Sequence, residues 1–485
     1  MAAKLQRINT RHWTSLTLGK NLYSFAMKRS IPQLVTFAAL MFAGNMGCSE
    51  PSDPQPPNVL LITLDTTRVD HLSSYGYERQ TSPVLDAFAQ EGAKFELAYS
   101  PMGTTGPSHS TIFTGAYPLT HNVVKNSTPL SASQVTLAET LKSEGYQTAA
   151  IISSFVLSKG FGYDQGFDYF RDDFDPGESS VKRDEWQGFA VADGFDRRAN
   201  STTDLAIEWL KEKRNQNRPF FLFVHYFDPH SPYDPPAEFR GRFTDSTDKG
   251  VDLQVGLYDE EIAFTDQQVG VLLQSLASQG LSDDTIVVIT ADHGEGLGDH
   301  DHMLHGLYVY DEAVRVPLVI RWPGKIAKGQ IIEAPVEFVD LAPTLFELAG
   351  LPIRDSYAQG KSLAPALTGT SELDIERPIF LYRTHQKPRT EKGVFVAGDK
   401  FAVRKGNWKL IIGAEEKSFE LYDLSSDPDE ERNVFNDRPQ VVAELKVILN
   451  EWRKRVTHDA GESEAITQKD RDALEKLGYT GDSEE

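Results

Sequence analysis

The sequence predicts an α/β protein: a large, mostly parallel sheet flanked by helices, followed by a small C-terminal antiparallel sheet. Three observations carry this. From Asn58 to about Arg321, short apolar runs alternate with amphipathic stretches, the pattern of strands joined by crossover helices. Two of those runs, residues 59–64 and 285–291, are almost wholly apolar and rich in β-branched residues, as strands covered on both faces are. Near Arg377 the texture changes to short apolar runs separated by Gly-Asp and Gly-Asn turn signals, which read as hairpins.

Taken in order, strands are expected at residues 59–64, 148–152, 220–224, 286–289 and 317–320, and helices at 83–91, 107–113, 137–144, 202–213, 257–279 and 341–349. Residues 172–200 are polar, charged and glycine-containing, and are expected to form a surface insertion. The antiparallel strands should cover 395–397, 400–403, 408–412 and 419–424, with a closing amphipathic helix at 441–456 and a frayed acidic tail after it. The resulting division is a main domain over 58–376, an antiparallel subdomain over 377–434, and a helix and tail over 435–485. The sequence carries no internal repeat and no low-complexity segment.

With 485 residues, the chain can bury a large core. Its net charge of −22 excludes a nucleic-acid polymer as the natural partner. A single cysteine, Cys48, excludes a disulfide framework and a cysteine-based zinc site. That cysteine follows Lys28-Arg29 and an apolar stretch over 31–47 that ends in small residues, the plan of an export signal, with Met27 as the expected true start. Residues 1–48 are therefore expected to export the chain to a bacterial periplasm or cell envelope. Cys48 stands where a lipoprotein carries its lipid, although Asn45-Met46-Gly47 departs from the usual cleavage box; an uncleaved signal anchor is the alternative. Membrane contact is expected only through such an anchor. Pro51, Pro54, Pro56 and Pro57 stiffen the tether over 49–57.

Chemistry is concentrated at strand ends. Asp65 ends the run over 59–64, and Asp292-His293 end the run over 285–291, where parallel sheets place their ligand sites. The two carboxylates and the imidazole could converge on a metal ion, or each aspartate could cap the next turn. Residues 101–115 read Pro-Met-Gly-Thr-Thr-Gly-Pro-Ser-His-Ser-Thr-Ile-Phe-Thr-Gly. Pro107 suits the first position of a helix, which would leave Thr105 just outside the N-terminus, among free amides that favour an anion. A hydroxyl beside a metal there could act as a nucleophile; an ordinary N-cap is the alternative.

Segments 58–68, 105–115, 223–236, 291–299 and 305–321 together resemble the sulfatase branch of the alkaline-phosphatase superfamily. So do Gly-Phe-Asp-Tyr-Phe at 166–170 and Leu-Tyr-Asp-Leu-Ser-Ser-Asp-Pro at 421–428, and the resemblance spans 58–432. It implies a metal-dependent hydrolase of sulfuric or phosphoric esters. Asp65, Thr105, Asp292 and His293 would hold one divalent metal ion, with Thr105 as nucleophile. His230 would contact or protonate the leaving oxygen, and His305 would contact the anion.

The departures from the family are chemical. Sulfatases that oxidise a cysteine or serine to formylglycine have that residue where this chain has Thr105, whose β-methyl prevents formation of the aldehyde. The supporting arginine is His109. The Lys and His that grip sulfate are absent from 153–157, and the Asp-Asp and Asp-Asn ligand pairs are Asp65-Thr66 and Asp292-His293. Imidazole in the shell favours manganese or zinc over calcium. An unmodified threonine beside such a metal is similar to phosphodiesterases and head-group transferases of the superfamily. His225, Asp228, His300 and His302 are candidates for an improvised second metal site. The substrate is expected to be a small-molecule, glycan or lipid ester. A catalytically silent anion-binding protein and a phosphoryl transferase are the competing classes, and the sequence assigns no oligomeric state.

Overall fold

The structure, a computed structural model, describes residues 56–174, 185–186, 189–190, 195–354, 359–391 and 394–456. The export segment with Cys48, most of the tether and the tail beyond 456 lie outside them. No helix among the described residues is long and apolar enough to cross a membrane.

The main sheet uses β1 (Asn58–Leu64), β2 (Ala93–Tyr99), β3 (Gln147–Ile151) and β4 (Tyr169–Arg171). Two short strands, β5 (Glu185–Trp186) and β6 (Phe189–Ala190), pair only with each other. The sheet is completed by β7 (Phe220–Tyr226), β8 (Thr285–Ala291), β9 (Arg315–Arg321), β10 (Gln330–Ile332) and β11 (Val336–Glu337). The strand order is β10-β2-β9-β8-β1-β7-β3-β4, with β11 also paired to β2. β9 runs antiparallel to β8 and β2; every other pairing in this sheet is parallel. The mostly parallel α/β sheet expected from the alternation is present, and β1 is its centre.

Strand β1 shows why the apolar run folds this way. Val59 and Leu61 enter the core on one face, while Leu60, Ile62 and Leu64 enter the core on the other. Period-two alternation with both faces covered leaves no place for polar side chains except Thr63. Each of these buried aliphatic side chains contributes about 1.5–3 kcal/mol of transfer free energy.

The small sheet follows as β12 (Ile379–Glu391), β13 (Val394–Lys405), β14 (Trp408–Gly413) and β15 (Ser418–Asp423), all antiparallel. Residues 395–397 and 400–403 belong to one strand, not two, because the ladder to β12 continues through Gly398. The closing helix, Pro439–Val456, lays Leu445, Leu449 and Trp452 on this sheet, and Trp452 stacks on Phe380 at 4.9 Å. Met102, Tyr117 and Val339 join the same cluster, so the small sheet shares its core with the large one.

The expected surface insertion over 172–200 is corrected at its described end. Asp196 and Arg197 are buried, Ser154 bridges to Asp196, and Arg197 donates to the carbonyl of Ile152 at 2.7 Å. Polar sequence here does not mean solvated sequence: this arginine is spent on a buried backbone carbonyl.

Candidate active site

Parallel register places the two acidic strand ends side by side. Leu64 of β1 is opposite Ala291 of β8, so the next residues, Asp65 and Asp292, leave adjacent strands at the same level. On the other side of β1, Thr63 is opposite His225 of β7. Beyond Asp65 the backbone turns at Thr66 with φ 50°, a left-handed conformation that costs a β-branched residue of order 1–3 kcal/mol. Two contacts hold it there. The Thr66 amide donates to Asp292 Oδ1 at 3.1 Å, and the Tyr258 hydroxyl donates to the Thr66 carbonyl at 2.7 Å. Tyr258 lies on the long helix Val251–Ser278, whose packing thus supports the turn.

The third component is the helix Thr105–Thr114, buried along its whole length. Ser108 donates to the Asp292 carbonyl at 2.7 Å, tying the helix to the end of β8. His109 Nδ1 donates to the Thr105 carbonyl at 2.8 Å, which leaves its Nε2 to accept from Thr63 at 2.9 Å. Both His109 nitrogens are therefore committed to protein partners.

The helix begins at Thr105 itself, with Thr104 as its N-cap, and not at Pro107. Beyond Thr105, its first-turn amides are also not free as expected. Gly106 N–H is bound by Asn126 Oδ1 at 2.7 Å, Pro107 has none, and Ser108 N–H returns to the Thr104 carbonyl.

These elements bring Asp65, Thr105, Asp292 and His293 together. His293 Nδ1 donates to the Gly294 carbonyl at 2.8 Å, so Nε2 presents its lone pair. That atom is 3.2 Å from Thr105 Oγ1, 3.4 Å from Asp292 Oδ2 and 3.8 Å from Asp65 Oδ1. A tetrahedral ion with bonds of about 2.0–2.2 Å separates its ligand atoms by roughly 3.3–3.6 Å, so the spacing suits one small cation. Both Asp65 oxygens and Asp292 Oδ2 are buried and accept no hydrogen bond. Burial, reinforced by Glu295, pushes Asp65 up to about 8, and burial with the Asp65 charge raises Asp292 well above the carboxylate range. Burial and His305 hold His293 well below the usual histidine value, ready as a neutral donor. The donor set fits a divalent cation.

His230 and His305 complete the wall. The His305 ring lies 4.5 Å from that of His293 and 5.2 Å from that of His230. Burial would lower His305, but Glu295, 3.2 Å from its Nδ1, raises it together with Asp65 and Asp292. Burial and His305 push His230 down to about 3, and its Nδ1 donates to the Ser231 carbonyl.

Of the four candidates for a second metal, His225 approaches the site: its Nε2 is 3.4 Å from Asp65 Oδ2. Asp228 instead accepts from the Ala199 amide, and His300 bonds Glu312 and the Glu430 carbonyl. Among the described residues the two groupings able to hold a metal are Asp65, Asp292 and His293, and His109, His225 and Asp292. The second would require His109 to give up its bond to Thr105. In the 153–157 segment, where the resemblance loses its Lys and His at Ser154 and Val156, the adjacent Ser153 is committed to Thr202 and the His225 carbonyl at 2.6 Å each.

Sequence reasoning missed Glu295, although Asp-His-Gly-Glu held the signal, and missed Asn126 and the strained Thr66, which no local pattern marks. Gly294 is fixed by close approach: a Cβ there would lie 1.9 Å from the Glu312 carbonyl oxygen.

A mostly parallel sheet with acidic groups at its C-terminal edge, facing a hydroxyl at a helix start, defines an ester hydrolase of the sulfatase and alkaline-phosphatase type of fold. The comparisons with known proteins name the family. The family described as Sulfatase matches residues 57–351, and the one described as N-sulphoglucosamine sulphohydrolase, C-terminal, matches 298–455. This chain belongs to the sulfatase family of sulfuric-ester hydrolases. It is similar to N-acetylglucosamine-6-O-sulfatase of Bacteroides thetaiotaomicron, 25% identical over 97% of this chain and 99% of that protein. Human arylsulfatase A is 27% identical over 81% of this chain and 87% of its own. A structure solved with its substrate D-glucosamine-2-N,6-O-disulfate matches with a TM-score of 0.68 at 24% identity, covering 84% of this chain and 100% of that one. Phosphonate monoester hydrolase of Agrobacterium radiobacter matches with a TM-score of 0.67 at 24% identity, covering 82% and 96%. These structural likenesses establish the fold.

Proposed function

We propose that this chain hydrolyses a sulfuric or phosphoric ester with unmodified Thr105 as nucleophile, and that Asp65, Thr105, Asp292 and His293 hold one divalent cation, manganese or zinc in preference to calcium. The observation that carries the reading is the Thr105 hydroxyl, 3.2 Å from His293 Nε2 and beside two carboxylates whose facing oxygens have no other partner. When bound, the cation supplies the positive charge that lowers the hydroxyl's pKa and draws in the anion.

Thr105 Oγ1 forms a bond to sulfur or phosphorus as the bond to the leaving oxygen breaks, and the hydroxyl proton passes to solvent. The leaving oxygen takes a proton from His305, whose pKa Glu295 raises against the effect of burial; His230, held neutral by burial, contacts that oxygen without being the main proton source. Water then attacks the Thr105 ester, restoring the hydroxyl and releasing sulfate or inorganic phosphate from a monoester, or a phosphate monoester from a diester. Because a threonine cannot eliminate the group as a formylglycine hydrate does, the second step repeats the first displacement. That symmetry favours a phosphodiester alongside the sulfate ester, and it also admits transfer to an alcohol.

Two of the named proteins, N-acetylglucosamine-6-O-sulfatase and the one solved with D-glucosamine-2-N,6-O-disulfate, are described by a sulfated sugar, which supports a glycan ester as the substrate class. The basic-then-apolar pattern over 28–48 supports export and a lipid anchor at Cys48. The test is a paired assay on an aryl sulfate, an aryl phosphate monoester and an aryl phosphate diester with manganese, zinc and calcium. Turnover with manganese or zinc that disappears in Thr105→Ala supports the reading. Turnover of the sulfate alone, and with calcium alone, would defeat it.

A further inference from the structure

His225 is fully buried on β7, in the register that sets it opposite Thr63 of β1. A neutral imidazole carries one N–H and one lone pair, and both ring nitrogens of His225 are buried and bond to no protein atom. Leaving the donor and the acceptor of one buried ring unpaired is costly, and native proteins rarely do so unless something completes the ring. What faces the ring identifies the missing group. Nε2 lies 3.4 Å from Asp65 Oδ2, an oxygen that is itself buried and accepts no hydrogen bond. Two ligand atoms on one small cation have this spacing, roughly 3.3–3.6 Å for bonds of about 2.0–2.2 Å.

The position differs from the one beside Thr105. Ligand atoms of a single ion with such bonds lie no more than about 4.4 Å apart. Among the described residues His225 does not join the grouping of Asp65, Asp292 and His293; it forms another with His109 and Asp292. Asp65 turns Oδ1 toward His293, at 3.8 Å, and Oδ2 toward His225. Asp292 Oδ2 is 3.4 Å from His293 Nε2 and 3.7 Å from His109 Nδ1. Each carboxylate thus faces two imidazoles, as a bridge between two ions requires. His109 completes the set by changing tautomer. With its proton on Nε2, that nitrogen donates to Thr63 Oγ1 over the same 2.9 Å, and Nδ1 leaves the Thr105 carbonyl to offer a lone pair.

Charge favours a second ion. One dication is neutralised by Asp65 and Asp292, so an ionised Thr105 would leave the cluster negative where an anionic ester must approach. The Lys and His that grip sulfate in the family are absent from 153–157. A second dication turns the cluster positive.

We propose that His225, His109, Asp65 and Asp292 hold a second divalent cation, of the zinc or manganese class, joined to the first through the two carboxylates. The inference rests on the first cation's site beside Thr105 and adds a second ion behind it.

The test is zinc content per chain, measured by elemental analysis after saturation and dialysis of chelator-treated protein. Wild type should retain two zinc ions and His225→Phe one, because phenylalanine keeps a ring and removes both nitrogens. Zinc should also raise the melting temperature of His225→Phe less than that of wild type. One ion in both proteins, or two in both, overturns the proposal. His293→Asn in parallel separates the two sites. A single wild-type ion that His293→Asn loses and His225→Phe keeps leaves the first site standing and removes the second. An ion that His293→Asn keeps and His225→Phe loses supports the second. Should His225→Phe fail to fold, zinc-edge anomalous diffraction from wild-type crystals decides. Two peaks about 3.5–4 Å apart, one of them within about 2.5 Å of His225 Nε2, support the assignment; no peak within about 3 Å of that atom refutes it.

Discussion

The hydroxyl oxygen of Thr105 lies 3.2 Å from Nε2 of His293, although 188 positions separate the two residues in the chain. The contact joins the start of a buried helix to the end of a central strand, and it makes the hydroxyl the group nearest any ion held by the carboxylates. Thr105→Ala should lower kcat by roughly 10³-fold or more, as removal of a nucleophile does, with the fold intact by circular dichroism. Thr105→Ser keeps the oxygen and should stay within about tenfold. Intact-mass spectrometry of quenched wild-type enzyme should show the covalent ester adduct, absent from the alanine variant; an alanine variant with wild-type kcat would remove Thr105 from the chemistry.

Metal preference follows from the imidazole. His293→Asn leaves an oxygen-rich shell, so zinc affinity should fall by more than about 100-fold while calcium binding is gained or kept. Calorimetric titration of chelator-treated protein with each ion reads this directly. Unchanged zinc affinity would place the ion elsewhere.

The apo fold carries a pH penalty that a cation should lift. The Asp65 carboxyl, raised by burial to about 8, keeps its proton in the folded state, whereas the unfolded chain gives it up above about 4. Between these values the unfolded state binds fewer protons than the folded one, so stability without metal falls as pH rises from about 4 toward 8. Bound metal replaces the proton. The increase in melting temperature on adding manganese or zinc should therefore be larger at pH 8 than at pH 5.5. An equal increase at both would show that Asp65 is not the group neutralised.

Much of this arrangement was legible in the sequence, and the missing parts share a cause. The runs at 59–64 and 285–291 announced both buried strands, and the residue after each announced the acidic pair. Strand β2 escaped notice because Ala-Lys-Phe-Glu-Leu-Ala-Tyr alternates weakly, and β12 because its second half carries Gln386, Lys387, Pro388 and Arg389. Both are held by their neighbours more than by their own propensity. The helix start at Thr105 was misplaced because Pro107 is compatible with either of two registers, and only the Thr104 carbonyl's bond to Ser108 decides between them. Asn126 and the strain at Thr66 are properties of contacts across 20 to 226 positions, which no local pattern records.

Glu295 sets the charge of His305. Burial alone would lower that imidazole, and the carboxylate 3.2 Å away raises it instead. Glu295→Gln keeps the shape and removes the charge, so the His305 pKa should drop and the alkaline limb of the kcat profile should move to lower pH. The stability effect has the same sign. A histidine whose folded pKa is raised stabilises the fold below its ordinary range and loses that contribution as pH rises, so the variant should be less stable than wild type at acidic pH and closer to it at alkaline pH. An alkaline limb that does not move would take His305 out of proton transfer.

Gly294 gives a test of whether backbone approach, and not only ligand chemistry, builds the site. Its amide donates to the Ala313 carbonyl at 2.9 Å, and an added Cβ would fall 1.9 Å from the Glu312 carbonyl oxygen and 3.3 Å from Arg68 Cγ. The first contact is with backbone and cannot be relieved by a side-chain rotation. Arg68 cannot readily retreat either, because its guanidinium bonds the carbonyls of Glu295 and Gly296 and pairs with Asp70 and Asp299. Gly294→Ala must therefore push the 292–296 segment off the 312–313 strand lead-in, and the nearest group to move with it is His293. The expected outcome is a destabilisation of about 1–3 kcal/mol, typical of overpacking, together with a loss of metal affinity larger than the stability change explains. Denaturant unfolding and metal titration of the same preparation measure the two terms separately. If affinity survives while stability falls, the position of His293 does not depend on this packing, and the site is held by its side-chain network alone.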